Sequence, residues 1–189
     1  MKKVANILFE AKMLKEIARS GFHYLGMGEE SVAEHSFMTA FIAYTMAQMT
    51  PDIDPFRLIA MCIVHDLPEA RVGDLNYVQK QYVRADENKA VEHMIKDLPF
   101  GSSLAELLAE FNKATSVEAK LARDADQLAL VLELKALKDM GYAPPQKWLP
   151  FVVKRIETPV GKEICRQILE TNWDSWWFDD SVNRSESNK

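Results

Sequence analysis

The sequence predicts an all-α fold, a bundle of helices that forms one domain. Only 7 of the 189 residues are glycine, β-branched runs are few, and the helix-favouring residues Leu, Ala, Met, Glu and Lys are abundant. Apolar residues recur at helical spacing, and several segments begin with Ser or Asp at the N-cap position. We expect residues 1–178 to form the domain and the polar segment 179–189 to be a disordered tail.

The composition narrows the class of protein and its partners. Hydrophobic residues make up 48% and charged residues 27%, as is usual for a soluble globular protein. The net charge of −5 and the lack of a basic tract disfavour duplex nucleic acid as a partner, so a small anionic substrate would need local positive charge or a metal. No run of ~18 apolar residues predicts a membrane span. The short apolar run at the N-terminus is unlike a signal peptide, and two cysteines do not suggest a disulfide framework, so we expect a cytoplasmic location.

The first part of the chain contains two predicted helices separated by a loop. Residues 4–18 are expected to form an amphipathic helix, and the loop 19–30 follows it. Ser31 and Glu34 match a capping box for the second helix, which should end at about Met49. Apolar side chains occupy both faces of this second helix, and we therefore expect it to be central to the bundle.

A third helix is predicted to be buried on all sides. Asp54 suits the N-cap and Pro55 suits the first helical position, and a continuous apolar run follows. Pro68 disfavours helical geometry at the residue before it, so this helix should end at about Asp66.

His65 and Asp66 lie at the C-terminal end of this helix. Free backbone carbonyl groups at such an end favour a cation. An imidazole and a carboxylate are also suitable ligands for a divalent metal. The alternative interpretation is a His–Asp hydrogen bond that closes the helix end.

Four further helices are predicted in the second part of the chain, over residues 84–98, 103–113, 117–140 and 159–171. Ser103 and Glu106 match a second capping box, and Ser116 is the expected N-cap of the longest helix. The proline-containing segment 144–150 is expected to be turn-rich. The aromatic segment 173–178 should pack onto the bundle, or onto a second subunit in a homodimer.

Two polar residues interrupt apolar helix faces in this prediction. His35 lies on an apolar face, where the alternative to a ligand is a core histidine with satisfied hydrogen bonds. Asp126 shares its face with alanine and leucine residues, and an unpaired carboxylate there is costly, so it needs a cation. Asp124 lies on the opposite side of the same helix, where we expect a solvated ion pair with Lys120.

The order of these metal-ligand candidates resembles a known family. His35, His65, Asp66 and Asp126 follow the pattern H…HD…D of the HD-domain superfamily of metal-dependent phosphohydrolases. The sequence motifs ESVAEHSF, VHDLPEARVGD and AKLARDADQL around these residues resemble those of the branch that contains the 5′-deoxynucleotidases. The resemblance extends over roughly residues 5–140. It implies a helical bundle with the metal site between its central helices.

The resemblance also implies roles for particular residues. The two histidines and two aspartates would hold one divalent metal, which could be Mn, Co, Mg, Fe or Zn. Glu69 matches the catalytic carboxylate that deprotonates or orients the attacking water, unless it simply forms an ion pair with Arg71. Asp74 matches a residue that contacts a sugar hydroxyl. Arg19 matches an arginine near the phosphate, and its alternative role is that of a cation at a helix C-terminus.

One departure from the family pattern concerns the sugar. A tryptophan usually follows closely behind the family's arginine, whereas here the aromatic residue is Phe22. If that ring distinguishes deoxyribose from ribose, we expect Phe22 to do so by a narrower margin.

Together these features predict a metal-dependent phosphohydrolase that removes the 5′-phosphate from nucleoside monophosphates, preferably deoxyribonucleotides. The first alternative is a phosphohydrolase of the same scaffold that acts on a cyclic nucleotide or another phosphomonoester. The second alternative, from another class, is a metal- or nucleotide-binding regulatory module without turnover. Glu69 argues against that module, since a pure binder needs no base beside the metal.

Overall fold

The computed structural model describes residues 2–177, which contain helices and no strand. The helices are α1 (Lys2–Met13), α2 (Gly21–Leu25), α3 (Val32–Met49), α4 (Pro55–Val64), α5 (Glu69–Val72), α6 (Glu87–Ile95), α7 (Gly101–Lys113), α8 (Val117–Asp139), α9 (Pro145–Val153) and α10 (Pro159–Glu170), with a short 3₁₀ helix at Gln79–Gln81. This architecture confirms the predicted all-α fold. No helix within 2–177 is long and apolar enough to cross a membrane.

The three helices that carry the predicted metal ligands each start with an N-cap side chain. At the start of α3, the Ser31 hydroxyl accepts a hydrogen bond from the Glu34 N–H at 3.2 Å, and the Glu34 carboxylate accepts one from the Ser31 N–H at 2.7 Å. This is the predicted capping box. Asp54 caps α4 and Ser116 caps α8, each through a backbone N–H three residues later. All three of these helix starts are therefore determined by local sequence.

Other helix starts differ from the predictions, α7 and α9 among them. α7 begins at Gly101, so Ser103 is not an N-cap and the second capping box is wrong. The first position of this helix suits glycine, because a Cβ atom at Gly101 would lie only 2.6 Å from the Ile95 carbonyl oxygen. The segment predicted to be turn-rich contains α9, because Pro145 occupies the first helical position and Pro150 is accommodated inside the helix.

The longest helix, α8, lies at the centre of the bundle. It contacts α3, α4, α7, α9 and α10. Leu121, Leu128, Val131 and Leu134 on this helix are almost completely buried in the main hydrophobic core. Since α3 and α4 also pack against each other, the three helices that carry the predicted metal ligands meet in one region.

The prediction that α3 is central to the bundle is confirmed on one side of the helix, which packs against α4 and α8, whereas its other side is exposed. His35, Ile42 and Met46 are buried. On the other side, Phe37 and Phe41 have exposed fractions of 68% and 56%. Their ring centroids are 6.5 Å apart, and Tyr44 extends the same exposed aromatic row.

Asp124 is buried, and its predicted role as a solvated partner of Lys120 is wrong. Its exposed fraction is 1%. Its carboxylate accepts hydrogen bonds from the backbone N–H groups of Glu157 at 2.9 Å and Thr158 at 2.7 Å. Thr158 is in turn the N-cap of α10. Both sides of α8 are covered by other helices, so opposite positions on this helix are both inside the protein.

The C-terminal aromatic segment is attached to the bundle by its backbone. The Trp173 N–H donates a hydrogen bond to Asp139 Oδ2 at 3.0 Å. The rings of Trp176 and Trp177 are not buried by the bundle, with exposed fractions of 71% and 65%. Phe178 and the predicted tail 179–189 lie outside the described residues.

Candidate active site

Helices α3, α4 and α8 bring three predicted metal ligands together. Ligand atoms of His35, His65 and Asp126 all lie within 4.8 Å of one another. His35 Nε2 is 2.9 Å from Asp126 Oδ1, and the two imidazole centroids are 5.6 Å apart. Both histidines are buried, and Asp126 lines the cavity described below. The distances are short enough for a single ion to contact all three side chains.

His65 is oriented for metal binding by the backbone of its own helix. Its Nδ1–H donates a hydrogen bond to the Cys62 carbonyl at 2.8 Å, which directs Nε2 towards the cluster. That Nε2 atom is buried and has no hydrogen-bond partner among the described residues. Burial alone would lower the pKa of His65, but the nearby Asp66 outweighs it and raises the pKa to about 9. A bound cation would replace the proton on Nε2, so the donor set fits a divalent metal.

Asp66 lies next to both imidazoles. Its Oδ2 atom is 3.2 Å from His65 Nε2, 3.8 Å from His35 Nε2 and 3.3 Å from Arg19 Nη1. Burial would raise the pKa of Asp66, but the positive charges of His65 and Arg19 lower it overall. Asp66 is therefore ionised and close to the cluster, and its role as a fourth ligand stays a prediction.

Both carboxylate oxygens of Asp126 have a hydrogen-bonding partner. Oδ1 faces His35, while Oδ2 accepts a hydrogen bond from the Gln127 side chain at 2.8 Å. Burial would raise the pKa of Asp126, but the hydrogen bond with His35 and the charges of both histidines lower it well below its usual range. The carboxylate is thus ionised and fixed in orientation.

Glu69, the first residue of α5, follows Asp66 by three positions. Its Oε2 atom is buried and finds no hydrogen-bond partner in the described part of the chain. Burial, and then the charges of Asp66 and Asp74, raise the pKa of Glu69 to about 9. The alternative ion pair with Arg71 is wrong, because Arg71 instead forms a two-pronged ion pair with Glu10, with distances of 2.9 and 2.7 Å.

Arg19 connects the cluster to the loop before α3. Its guanidinium contacts Asp66, and its Nε is 3.9 Å from Glu30 Oε2. The alternative role as a cation at a helix C-terminus is wrong, because α1 ends at Met13, six residues earlier. The charge of Asp66 leads the electrostatic contributions that outweigh burial and raise the pKa of Arg19 above its ordinary value, so this side chain stays cationic.

Glu30 is a site residue that sequence reasoning missed. It has an exposed fraction of 8%, and its Oε2 atom lies 3.9 Å from both Arg19 Nε and His35 Nδ1. Burial raises its pKa to about 7 despite the opposing charge of Arg19. Glu30 is the first residue of the motif ESVAEHSF, but nothing in the local sequence distinguishes it from the other acidic residues there.

Asp74 is fixed beside the same loop. The Ser20 N–H donates a hydrogen bond to Asp74 Oδ2 at 2.7 Å, across 54 positions of sequence. This bond joins the segment after Arg19 to the segment after α5. The predicted phosphate and sugar residues are therefore neighbours.

Asp126 of the cluster borders a cavity of about 730 Å³. The partly buried lining residues Arg19, Asp66, Glu69, Asp74 and Asp126 are called its inner part. Sequence reasoning missed the outer part, which we define by the exposed lining residues Lys80, Lys147, Phe151 and Arg155 and the half-buried Trp148 between them. Pro144, Pro145 and Pro150 favour turns over a helix, which hides the contribution of α9 in the sequence.

Phe22 lines this cavity but belongs mainly to the core. Its exposed fraction is 9%, and it packs with Leu25 in the main hydrophobic cluster. A Cβ atom added at Gly28 would lie 2.9 Å from the Phe22 ring. A larger ring at this position would have little space.

Comparisons with known proteins agree with this geometry. The HD domain family matches residues 11–168. The human 5′-deoxynucleotidase HDDC2 is 28% identical over 137 residues, which cover 69% of this chain and 66% of the human protein. The mouse protein of the same name is 30% identical over 139 residues, with 69% of this chain and 68% of the mouse protein covered. The chain therefore spans about two thirds of the length of these relatives.

Solved structures show the same fold. A protein from Pyrococcus horikoshii superposes with a TM-score of 0.73 at 27% identity, covering 88% of this chain and 98% of that protein. A predicted metal-dependent phosphohydrolase from Magnetospirillum magnetotacticum has a TM-score of 0.71 at 22% identity, covering 89% and 90%, and at that identity it supports the fold alone. The sequence match over most of the chain and the buried histidine–aspartate cluster between its central helices lead to one conclusion: the chain belongs to the HD domain family.

Proposed function

We propose that this protein is a metal-dependent phosphohydrolase that removes the 5′-phosphate from nucleoside monophosphates, with a preference for deoxyribonucleotides. One observation carries the proposal. A single cavity is lined by Asp126 of the histidine–aspartate cluster, by the buried carboxyl group of Glu69 and by the cation Arg19. The 5′-deoxynucleotidase names of the curated relatives support the same substrate class.

The metal would be held by the Nε2 atoms of His35 and His65 and by Asp126, with Asp66 as the proposed fourth ligand. When bound, a divalent metal lowers the pKa of water, polarises a phosphoryl oxygen and neutralises developing charge. Arg19 binds the phosphate oxygens, a task that suits its planar guanidinium. The positive charge of Arg19 also offsets part of the negative charge of the acidic side chains that line the inner cavity.

Glu69 handles the proton of the attacking water in this proposal. The charge of Asp66 is one cause of its raised pKa. Once that charge is neutralised by a bound cation, the Glu69 carboxyl can exchange a proton closer to neutral pH. Its Oε2 atom is available because no described residue hydrogen-bonds it.

Asp74 accepts a hydrogen bond from a sugar hydroxyl in this proposal. One of its oxygens is already fixed by the Ser20 N–H, which sets the orientation of the carboxylate. Phe22 contributes the edge of the sugar pocket, but its burial limits any change of size there. We therefore expect Phe22→Trp to destabilise the fold more than it widens the deoxyribose preference.

The decisive experiment is a phosphate-release panel over ribo- and deoxyribonucleoside 5′-monophosphates. Each of Mn, Co, Mg, Fe and Zn is added in turn to chelator-treated protein. We expect metal-dependent release, faster for the deoxy substrates. Conversion of a cyclic nucleotide to its monophosphate in a parallel assay, with no phosphate released from the monophosphates, would support the rival hydrolase. Nucleotide binding without hydrolysis in any metal would support a regulatory module.

The proposal includes a cytoplasmic homodimer. Both cysteines are free, as suits a reducing compartment. The exposed row formed by Phe37, Phe41 and Tyr44 on α3 is an apolar surface that a second copy could cover. Sedimentation of the wild type should give a dimer, and Phe41→Glu should give a monomer, while Phe9→Glu on exposed α1 should not. A monomeric wild type at micromolar concentration would contradict the dimer.

A further inference from the structure

We propose that Trp148 forms a stacking subsite for the nucleobase at the outer end of the cavity. The inference rests on the proposed function, because it assigns a place to the part of the substrate that does not react. Trp148 lies on α9, which sequence reasoning did not connect with the site.

The indole of Trp148 lies beside the segment that carries Arg19 and that holds Asp74 through Ser20. Its Cζ3 and Cη2 atoms lie 3.7 and 3.9 Å from the point that a Cβ atom of Gly21 would occupy. Gly21 directly follows Ser20, whose N–H holds Asp74. The ring therefore lies next to the same short segment that carries Arg19 and holds Asp74, close enough for a side chain at position 21 to touch it.

The indole is also partly open to the cavity. Trp148 is half-buried and is one of the cavity-lining residues. Phe151 lies three positions later, on the same side of α9, and also lines the cavity with an exposed fraction of 67%. Two aromatic rings thus line its outer end, where a flat heterocycle could lie against them.

The carboxylates that line the cavity belong to its inner part, together with the cation Arg19, whereas the outer part carries only cations. The carboxylates Asp66, Glu69, Asp74 and Asp126 line its inner end beside the metal-ligand cluster. The cations Lys147 and Arg155 belong to α9 and the segment after it, as neighbours of the two rings. Arg155 is also linked to the cluster, since its Nη1 is 3.4 Å from Gln127 Oε1 and Gln127 in turn bonds Asp126.

A nucleoside monophosphate matches this order of groups. Its phosphate belongs beside Arg19 and the cluster, and its sugar hydroxyl belongs beside Asp74. The base is then the part left for the aromatic outer wall. A cavity of about 730 Å³ has room for the whole nucleotide, and stacking on an aromatic face tolerates any base.

The test compares dAMP with 2-deoxyribose 5-phosphate, which has the same phosphate and sugar but no base. We expect the wild type to favour dAMP in kcat/KM. Trp148→Ala should reduce kcat/KM for dAMP by about 5- to 150-fold, the range for loss of one base–aromatic stack, mainly through a higher KM. The reduction for the sugar phosphate should be clearly smaller, and Trp148→Phe should recover most of the dAMP activity.

Trp176→Ala is the matched control, because Trp176 is exposed and does not line the cavity. Trp176→Ala should leave kcat/KM unchanged for both dAMP and the sugar phosphate. Equal losses on both substrates in Trp148→Ala would overturn the subsite and give Trp148 a role in the sugar pocket or the fold. Equal wild-type rates with and without a base would also overturn it, while leaving the phosphohydrolase function intact. If neither phosphate ester is hydrolysed with any metal, the proposed function fails and the subsite fails with it.

Discussion

Asp124 Oδ2 accepts two hydrogen bonds from Thr158, one from the backbone N–H at 2.7 Å and one from the hydroxyl at 2.5 Å. Only two positions later, Asp126 faces the imidazole of His35. Two nearby aspartates on α8 therefore have separate tasks on opposite sides of the helix. Asp124 attaches the start of α10, and Asp126 belongs to the candidate metal cluster.

Replacing Asp124 should destabilise the fold. Asp124→Ala leaves the N–H groups of Glu157 and Thr158 without their acceptor, so we expect the free energy of unfolding to fall by about 3 kcal/mol. Urea unfolding at pH 7 measures this. Thr158→Val, which removes only the hydroxyl bond, should cost about 1 kcal/mol. Lys120→Ala is the control and should have almost no effect; an equal effect of Lys120→Ala would restore the solvated ion pair.

Replacing Asp126 should remove the metal. Asp126→Ala deletes one member of the three-residue ligand cluster, so we expect loss of both bound metal and phosphatase activity. Elemental analysis after gel filtration measures the metal. Glu170→Ala changes an exposed acid on α10 and should keep the wild-type content. Equal metal in wild type and Asp126→Ala would disprove the ligand assignment.

Replacing Glu69 should separate turnover from binding. Glu69→Gln keeps the shape of the side chain but removes its proton exchange, so kcat should fall by roughly 10²–10⁴-fold with the metal retained. Arg71→Gln is a control on the same short helix, since Arg71 pairs with Glu10 away from the cluster. A metal-free Glu69→Gln protein would show instead that Glu69 is a ligand.

Replacing Glu30 should weaken metal binding indirectly. Its carboxylate lies near both His35 Nδ1 and Arg19, so we expect Glu30→Ala to loosen the histidine and lower metal affinity by about 10–100-fold. Titration calorimetry of the chelator-treated protein measures this. Glu29→Ala, on the exposed neighbour, should bind as wild type. Unchanged affinity in Glu30→Ala would mean that Glu30 serves only to hold Arg19.

Replacing Asp74 should weaken binding of both sugars. Ribo- and deoxyribonucleotides share the 3′-hydroxyl, so Asp74→Ala should raise KM for both by a similar factor. Paired kinetics on the two substrates measure this. Loss of only the deoxy substrate would indicate that Asp74 contacts a different hydroxyl.

Local sequence predicts the parts of this fold that depend on neighbouring residues. The capping box of Ser31 and Glu34, and the N-caps Asp54 and Ser116, involve contacts within three positions, so the starts of α3, α4 and α8 were predictable. The spacing of apolar residues along α8 also indicated that Asp126 points inward. The start of α7 was not predictable, because it depends on the approach of Gly101 to Ile95.

The sequence by itself therefore determined the all-α class and most of the main helices, and it singled out His35, His65 and Asp126 as candidate metal ligands. Only the tertiary structure decided which other side chains join them. Periodicity identifies one apolar side of a helix, but α8 is covered on several sides, which buries Asp124 as well as Asp126. Glu30 and Trp148 reach the site from a loop and from α9, because contacts between distant segments are set by packing and not by local spacing.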